Sequence, residues 1–134
     1  MWVVMPNLDP ITDLSQVPEG ATGFVYEIRN FETGEYYIGK KSIYSNRTLP
    51  PLKGDRKKRR ITKVSNWLNY QSSNDTVKAW KFPQKIILKW CYSKKELTYE
   101  EIRALMCNYA LEDDKCMNQN INGKFFKGEF TTKV

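Results

Sequence analysis

Alternating apolar and polar residues predict two strands in the first third of the chain. Phe24, Tyr26 and Ile28 alternate with residues that suit the opposite face of a strand. A turn containing Asn, Thr and Gly follows, and a second run of strand-forming residues ends at Gly39. We therefore predict an antiparallel hairpin, in which Tyr26 and Tyr37 lie side by side if both point to the same face.

The second half of the chain predicts a third strand followed by a helix. Residues 85–91 form a mostly apolar run, which indicates a largely buried strand. The helix has two candidate starts, because Ser93 with Glu96 and Thr98 with Glu101 both have the spacing of a capping box. The apolar face of this helix is predicted to consist of Ile102, Leu105, Met106 and Tyr109.

The remaining segments carry weaker signals. Residues 1–22 hold three prolines and little periodicity, so we expect an irregular lead-in. Residues 64–70 fit either a short helix or a packed loop, and Asp75 is placed to cap a short helix. Residues 123–134 read as a tail, which leaves one domain over residues 23–122, as suits a chain of 134 residues.

The charge of the chain points to a polyanionic partner. Lysine and arginine outnumber aspartate and glutamate by 22 to 15, which gives a net charge of +7. The excess is concentrated in residues 53–60, which hold six cations and one carboxylate. Such a run either binds nucleic acid or serves as a solvated loop that aids solubility.

Cysteine usage and hydropathy exclude other classes. The three cysteines form no CxxC pair and the chain has no histidine, so we expect reduced, partly buried thiols and no zinc site. No run approaches the roughly 20 apolar residues that a membrane span needs. We expect a soluble, cytoplasmic protein without a membrane partner.

The candidate chemistry lies in a fixed order of features: Tyr26, the run Tyr37-Ile38-Gly39, Arg47, an acidic helix and Asn118. In this constellation the sequence resembles the GIY-YIG endonucleases, and it is most similar to their phage branch of SegE-like homing endonucleases. The stretches Gly-Lys-Lys-Ser and Thr-Leu-Pro-Pro-Leu-Lys-Gly add to the similarity, which spans about residues 23–120.

The resemblance implies a fold and an activity. The family fold is a compact α+β domain with a three-stranded antiparallel sheet flanked by helices, in agreement with the elements predicted above. The implied activity is hydrolysis of DNA phosphodiester bonds with Mg²⁺ or Mn²⁺, leaving 5′-phosphate and 3′-hydroxyl ends. The expected partner is DNA, without a small-molecule cofactor. A phage-encoded enzyme would work in the host cytoplasm, with homing as one candidate role.

The resemblance also implies a role for each matched residue. Tyr26 and Tyr37 match the family's two tyrosines, Arg47 its arginine, Glu101 its metal-binding glutamate and Asn118 its asparagine. The residue types suit the reaction, because phosphodiester hydrolysis needs an activated water, a neutralised phosphate and a stabilised leaving oxygen. Tyr26 can act as general base only if nearby cations favour its phenolate.

The sequence departs from the family pattern in two places. Phe24 stands where the first motif has glycine, with Gly23 one position early. Many relatives carry a histidine near the arginine, whereas this chain has none. Lys40, Lys41 or Tyr44 takes that place, and we favour Lys41.

Several candidates also have a plainer interpretation. Glu101 either binds the metal from inside the helix or closes the capping box that begins at Thr98, and Glu100 is the reserve ligand. Asn118 orients the site, contacts phosphate or only forms a turn. The predicted DNA contacts are cations and one aromatic side chain: Lys40, Lys53, Arg56, Lys57, Lys58, Arg59, Arg60, Lys63 and Trp67.

A second function class stays open beside the nuclease. Because the first-motif glycine is replaced, the alternative is a catalytically silent nucleic-acid-binding module on the same scaffold. Incubation of plasmid DNA with and without Mg²⁺ separates the two hypotheses.

Overall fold

The computed structural model describes residues 1–54 and 56–129, and of Arg47 it describes the backbone without the side chain. Short strands dominate, with two α-helices and a 3-10 turn at Leu14–Gln16. In chain order the elements are β1 (Trp2–Val4), β2 (Asp9–Ile11), β3 (Gly23–Arg29), β4 (Tyr36–Ser42), β5 (Tyr44–Leu49), β6 (Arg59–Val64), α1 (Asp75–Lys78), β7 (Gln84–Cys91), α2 (Lys94–Cys107), β8 (Asn120–Ile121) and β9 (Phe125–Phe126).

Five strands form the main sheet, in the order β2-β1-β7-β3-β4. β3 pairs antiparallel with both β4 and β7, so the predicted hairpin and the predicted third strand are adjacent. β1 pairs parallel with β7, and β2 pairs antiparallel with β1. The fold is therefore α+β, as expected, but the sheet is mixed and five-stranded instead of antiparallel and three-stranded.

The segment before β3 differs from the irregular lead-in that the sequence predicts, because β1 and β2 extend the main sheet. Trp2 anchors this extension: its side chain is fully buried, and its indole N–H donates to the Trp67 carbonyl oxygen at 2.7 Å. The Trp2 ring packs edge-on against Phe24 and Tyr26, with centroids 5.1 and 5.4 Å apart. A three-residue strand contains too little alternation for periodicity to reveal it.

The main sheet has a hydrophobic core on each face. One core lies under α2 and includes Val25, Ile38, Leu97 and Leu105. The other core is aromatic and includes the segment around Trp67. Successive residues of β3 and β4 point to different cores, as the two-residue period of a strand requires.

α2 begins at the first of its two candidate starts. The Ser93 hydroxyl accepts the N–H of Glu96 at 3.1 Å, and the Glu96 carboxylate accepts the N–H of Tyr92 at 2.7 Å. These bonds satisfy N–H groups at the helix start, where helical partners are missing. Glu101 consequently lies inside α2, and the alternative in which Glu101 closes a capping box at Thr98 is excluded.

The apolar face of α2 is shorter than predicted. Leu105 is buried and Ile102 is half-buried, as expected, but Met106 and Tyr109 are exposed. The helix ends at Cys107, and Tyr109 has a positive φ of 51°, typical of the turn that follows a helix. The buried stripe therefore stops before the last predicted members.

Two smaller predictions differ in detail. α1 is capped by Asn74 instead of Asp75, because the Asn74 side-chain oxygen accepts the N–H groups of Thr76 and Val77 at 2.9 and 3.3 Å. The segment 64–70 ends β6 and continues as a turn, so its helical alternative is wrong.

A small hairpin of β8 and β9 extends into the predicted tail. The tail therefore has regular structure as far as Phe126, whereas residues 130–134 lie outside the described part of the chain.

The cysteines are free thiols; Cys91 and Cys116 are buried, and Cys107 is exposed. No helix in the described ranges has the length and apolar character needed to pass through a bilayer.

β5 and β6 form a separate two-stranded ribbon, which does not pair with the main sheet. The base of the ribbon is held beside the buried Ile43: the Ser65 N–H donates to the Ile43 carbonyl at 2.7 Å, and the Ser65 hydroxyl donates to the Ser42 carbonyl at 2.6 Å. Every described side chain of residues 44–64 is exposed or half-buried. The basic region that the sequence presents as a loop is thus partly a strand, which begins at Arg59.

Candidate active site

The candidate site lies along β4, the last strand of the main sheet. Tyr37 packs against the aromatic core, whereas Ile38 belongs to the core under α2. By the same alternation Gly39 and Lys41 share the face of Tyr37, and Lys40 points to the side of α2. A site at this edge strand can draw on groups from both faces of the sheet.

Tyr26 and Tyr37 lie side by side across the β3–β4 pair, as predicted. Tyr26 is directly opposite Gly39, and the ring centroids of Tyr26 and Tyr37 are 6.3 Å apart. A methyl group at Gly39 would overlap the Tyr26 hydroxyl. The glycine of the Tyr-Ile-Gly run therefore makes room for the first tyrosine.

A third tyrosine, whose packing against Tyr26 the sequence does not predict, completes this aromatic group. The Tyr70 ring stands edge-on to Tyr26 with centroids 6.0 Å apart, and Lys41 Nζ lies 4.2 Å from the Tyr70 centroid. A cation–π contact thus holds the Lys41 ammonium beside the tyrosines, where burial lowers its pKa. Tyr70 follows a turn, where periodicity gives no sign of the direction of a side chain.

Tyr26 is the deepest group of the site. It is only 1% exposed, and burial raises the pKa of its phenol far above the usual range. The phenols of Tyr70 and Tyr37 raise this pKa further, while the Ser72 hydroxyl lowers it. The described neighbours that shift this pKa include no cation, and the Arg47 side chain lies outside the described part of the chain. The role of Tyr26 as general base therefore stays a prediction.

Tyr37 lies closer to the surface and to α2. It is half-buried, and burial is the main reason that the pKa of its phenol is raised. The hydroxyls of Ser73 and Ser72 oppose the shift, whereas the negative charge of Glu101 adds to it. Tyr37 is thus within electrostatic range of Glu101 on α2.

Glu101 faces this edge from the middle of α2. Its side chain is half-buried; burial raises the pKa of the carboxyl, and the Lys40 ammonium lowers it. Lys40 is held nearby by a hydrogen bond from its Nζ to Thr98 Oγ1 at 2.9 Å. A carboxylate and an ammonium group thus lie within electrostatic range of each other on the α2 side of β4.

The donor set around Glu101 fits a magnesium or manganese ion held by one carboxylate. The reserve candidate Glu100 is engaged elsewhere, with Lys89 at 3.3 Å and Arg103 at 3.5 Å. Within residues 1–54 and 56–129 no group of three or more His, Cys, Asp or Glu side chains is arranged for a metal. Mg²⁺ accepts one or two carboxylates together with waters and substrate phosphate, so a single half-buried glutamate is a suitable ligand.

Asn118 supports β4 from the outside. Its side chain is buried; Oδ1 accepts the Ile38 N–H at 2.9 Å, and Nδ2 donates to the Ile38 carbonyl at 2.7 Å. The amide therefore takes the place of a neighbouring strand at this point of the edge. These contacts favour the interpretation that Asn118 orients the site over a phosphate contact or a simple turn.

The predicted cations divide between the site and the ribbon. Lys40 and Lys41 flank the site, whereas Arg47 belongs to β5, where its backbone is opposite Ile61. The Arg47 side chain lies outside the described part of the chain, so its contact with phosphate stays a prediction. The ribbon and loop cations whose side chains the structure describes are exposed: Lys53, Arg56, Lys57, Lys58, Arg59, Arg60 and Lys63.

Trp67 lies in the aromatic core and not on a DNA-binding surface. Its side chain is fully buried, edge-on to Phe24 with centroids 6.0 Å apart. The prediction of a nucleotide contact is wrong, because stacking on a base needs an exposed ring face. The neighbouring basic segment suggests exposure, but the turn after β6 directs Trp67 inward.

Comparison with protein families supplies the deciding observation. A family model described as "Putative endonuclease segE, GIY-YIG domain" matches residues 2–125. The chain belongs to the SegE-like branch of the GIY-YIG endonuclease family. Neither the curated proteins nor the solved structures give a match.

In this GIY-YIG domain the first-motif glycine is displaced by one residue. A Cβ atom at Gly23 would lie 2.8 Å from Leu97 Cδ2 and 2.9 Å from the Lys41 carbonyl oxygen. Phe24, at the usual glycine position, packs in the aromatic core against Trp90 with centroids 5.6 Å apart. Gly23 thus permits the close approach of α2 to β3, while Phe24 is accommodated on the opposite face.

Of the three candidates for the GIY-YIG histidine, Lys41 is the one that contacts the site tyrosines, through Tyr70. Lys40 is bonded to Thr98 on the other side of β4, and Tyr44 is exposed at the base of the ribbon. The assignment to Lys41 stays a prediction, which this contact supports.

Proposed function

We propose that the chain is a metal-dependent endonuclease that hydrolyses DNA phosphodiester bonds to 5′-phosphate and 3′-hydroxyl ends. The observation that carries the proposal is the grouping of side chains along β4: Tyr37 lies beside Tyr26, and Lys41 lies against the Tyr70 ring. On the other side of β4, Lys40 bonds to Thr98 of α2, which is one helical turn before Glu101. A phenol, a single carboxylate and two ammonium groups are donor types that phosphate hydrolysis uses. Family membership supports the same class of reaction.

Glu101 is assigned the role of holding one divalent cation, Mg²⁺ or Mn²⁺. Such a cation, when bound, neutralises charge on the phosphate and lowers the pKa of a bound water. The half-buried carboxylate suits this role, because burial opposes its negative charge and a cation offsets that cost. Lys40, held by Thr98, adds positive charge on the same side of β4.

The two tyrosines receive different tasks. Tyr37 is the more exposed and interacts with Glu101, so it is placed to hold the attacking water and to accept its proton. The negative charge of Glu101 disfavours ionisation of the Tyr37 phenol. A cation held by Glu101 would neutralise that charge and remove this effect. Tyr26 is a positioning residue, because its phenol is enclosed and its ring supports Tyr37.

Arg47 is assigned to the scissile phosphate, because its planar guanidinium can donate two parallel hydrogen bonds to phosphate oxygens. Its strand, β5, begins next to the end of β4, which favours a position near the site. The proposal includes a phage-encoded homing enzyme that acts in the host cytoplasm, a role that only the sequence resemblance implies.

The test is cleavage of supercoiled plasmid by two matched variants of α2. Glu101→Gln is expected to lower kcat about 100-fold or more, because a catalytic metal contributes several kcal/mol to the transition state. Glu100→Gln removes an adjacent carboxylate that pairs with Lys89 and Arg103, and most activity is expected to remain. Full cleavage by a folded Glu101→Gln protein would refute the metal assignment.

Tyrosine variants separate the catalytic group from the positioning group. Tyr37→Phe is expected to lower kcat by about 100- to 10,000-fold and to change the shape of the pH–rate profile. Tyr26→Phe is expected to lower kcat less and to leave that shape unchanged. The opposite order would assign proton transfer to Tyr26.

A second candidate function is nucleic-acid binding without catalysis. The observation that favours it is the enclosure of Tyr26, whose phenol is only 1% exposed. In that case the protein retards plasmid on a gel but does not nick it with Mg²⁺ or Mn²⁺. Nicking that is lost in Glu101→Gln would exclude this function.

A further inference from the structure

The β5–β6 ribbon carries a strong charge that its place in the fold does not explain. The two strands pair only with each other, and their described side chains are exposed or half-buried. A lone two-stranded hairpin is at best marginally stable in water. The ribbon therefore adds little to the core, and its exposed cations between Lys53 and Lys63 call for a polyanionic partner.

One face of the ribbon presents short polar side chains. Residues directly opposite each other share a face, so Asn46 lies with Thr62, and Thr48 lies with Arg60. All four are exposed, and Thr62 Oγ1 donates to Asn46 Oδ1 at 2.9 Å, which orients the amide at the centre of this face. We call these four residues the polar face.

We infer that the ribbon lies in the major groove of duplex DNA and reads base edges through the polar face. The major groove of B-form DNA is about 12 Å wide and admits a two-stranded ribbon. Asparagine pairs with adenine and arginine with guanine, while threonine contacts either. The inference rests on the proposed function, because it takes DNA as the substrate. It assigns the DNA sequence specificity of the chain to the ribbon.

The base of the ribbon is firmly joined to the site. Only Ile43 separates β4 from β5, and its side chain is fully buried. The Ile43 N–H donates to the Thr22 carbonyl at 2.9 Å, and its carbonyl accepts the Ser65 N–H at 2.7 Å. A duplex bound by the ribbon is therefore held at a fixed place relative to β4.

The first experiment measures binding to a short mixed-sequence duplex by fluorescence anisotropy, in EDTA so that cleavage is not read. The major-groove ligand methyl green is expected to weaken binding, whereas the minor-groove ligand netropsin is not. Equal binding of double-stranded RNA, whose major groove is too narrow, would overturn the inference, as would competition by netropsin alone.

Charge variants locate the contact. Lys57→Ala/Lys63→Ala, which removes two exposed cations of the ribbon and its loop outside the polar face, is expected to reduce the slope of log K against log salt by about 0.9 for each lost phosphate contact. The matched control is Lys78→Ala/Lys124→Ala, which removes the same charge from exposed positions outside the ribbon. An equal loss in both variants would mean that binding follows net charge, and the ribbon assignment would fail.

Sequence reading is tested by selection from randomised duplexes, again without a divalent cation. Wild type is expected to enrich a sequence, and Asn46→Ala/Thr62→Val, which leaves the charge unchanged, is expected to enrich a different one. Identical enrichment, or none by wild type, would overturn base reading. Plasmid nicking with Mg²⁺ is scored separately, so failure of the ribbon inference is distinguishable from failure of the proposed nuclease.

Discussion

The Tyr26 hydroxyl occupies the space that a side chain at position 39 would fill. Position 39 therefore requires glycine, because any other residue has a Cβ atom that would overlap this hydroxyl. Its two consequences are linked: Tyr26 can lie flat in the aromatic core, and Tyr37 can stand beside it at the edge of the sheet.

Gly39→Ala is expected to destabilise the protein by about 1–3 kcal/mol, because the added methyl group overpacks a filled site. Cleavage is expected to fall as well, since Tyr26 and Tyr37 move apart. Urea unfolding and plasmid nicking measure both effects. Combining Gly39→Ala with Tyr26→Phe removes the overlapping hydroxyl, so part of the stability should return; a purely additive double variant would contradict the proposed contact.

Glu101 is expected to make stability depend on pH. Burial raises the pKa of its carboxyl, so the folded chain binds this proton more tightly than the unfolded chain. Its contribution to stability is complete below the ordinary glutamate pKa of about 4.3 and is lost as the pH rises through the raised pKa. Glu101→Gln should therefore be more stable than wild type at neutral pH.

Urea unfolding over a pH series measures this difference, which should disappear in acid. Mg²⁺ is expected to raise the Tm of wild type at neutral pH and to leave that of Glu101→Gln unchanged, because a ligand stabilises the state that binds it. Equal pH profiles for both proteins would contradict the buried carboxylate, whatever the outcome of the cleavage assay.

Sequence reasoning reaches the site residues that lie on regular elements. Strand alternation places Tyr26 beside Tyr37, and the family pattern selects Glu101 from two adjacent glutamates. The sequence does not place Tyr70 and Ser72 beside Tyr26, because they follow a turn in which the direction of a side chain depends on packing. Trp67 is misassigned for the same reason.

At the scale of elements, the start of α2 decides which face Glu101 occupies. Ser93 caps the helix, so Glu101 is directed toward β4, while Glu100 pairs with Lys89. Sequence spacing offers Ser93 and Thr98 as equal choices. The structure decides between them: Ser93 caps the helix, and Leu97, in the first turns, is buried under the sheet.

Ser93→Ala is expected to cost about 1 kcal/mol of stability, because the N-terminal turn loses its cap. Thr98→Ala is the matched control: its hydroxyl accepts a bond from the exposed Lys40, and its loss should change stability by about 0.5 kcal/mol or less. Thermal and urea unfolding compare the two variants. A larger effect from Thr98→Ala would place the helix start at the later position.

Edges and ribbons are the elements that periodicity predicts least well. The side chain of Asn118 makes the two hydrogen bonds to β4 that a neighbouring strand would otherwise make. No pattern in the sequence predicts these bonds. The β5–β6 ribbon has no buried face, so its strands lack the alternation by which half-buried strands are recognised.

At the scale of the whole molecule, the N-terminal segment is part of the sheet. The predicted α+β class and the β3–β4 hairpin follow from strong local patterns. The mixed sheet does not, because the parallel pairing of β1 with β7 joins residues that are far apart in the sequence, such as Trp2 and Lys85. A few buried aromatic contacts stabilise that pairing instead of a long apolar run.

Trp2→Ala is expected to destabilise the domain by about 3–5 kcal/mol, as large-to-small changes of buried aromatic residues do. The variant loses the ring contacts with Phe24 and Tyr26 and the hydrogen bond to Trp67. Met5→Ala, at an exposed position of the same segment, is the control and should cost about 0.5 kcal/mol or less. Equal, small effects in urea unfolding would mean that the segment is not integral to the fold.

The junction at Ile43 has a consequence for where a bound duplex is cut. β4 passes into β5 through one buried residue, which is bonded to Thr22 and Ser65, so the base of the ribbon lies at a defined place relative to Tyr37. Nucleotides bound by the ribbon would then lie at a fixed distance along the duplex from the hydrolysed bond. Moving the binding sequence along a plasmid is therefore expected to move the cleavage position by the same number of base pairs.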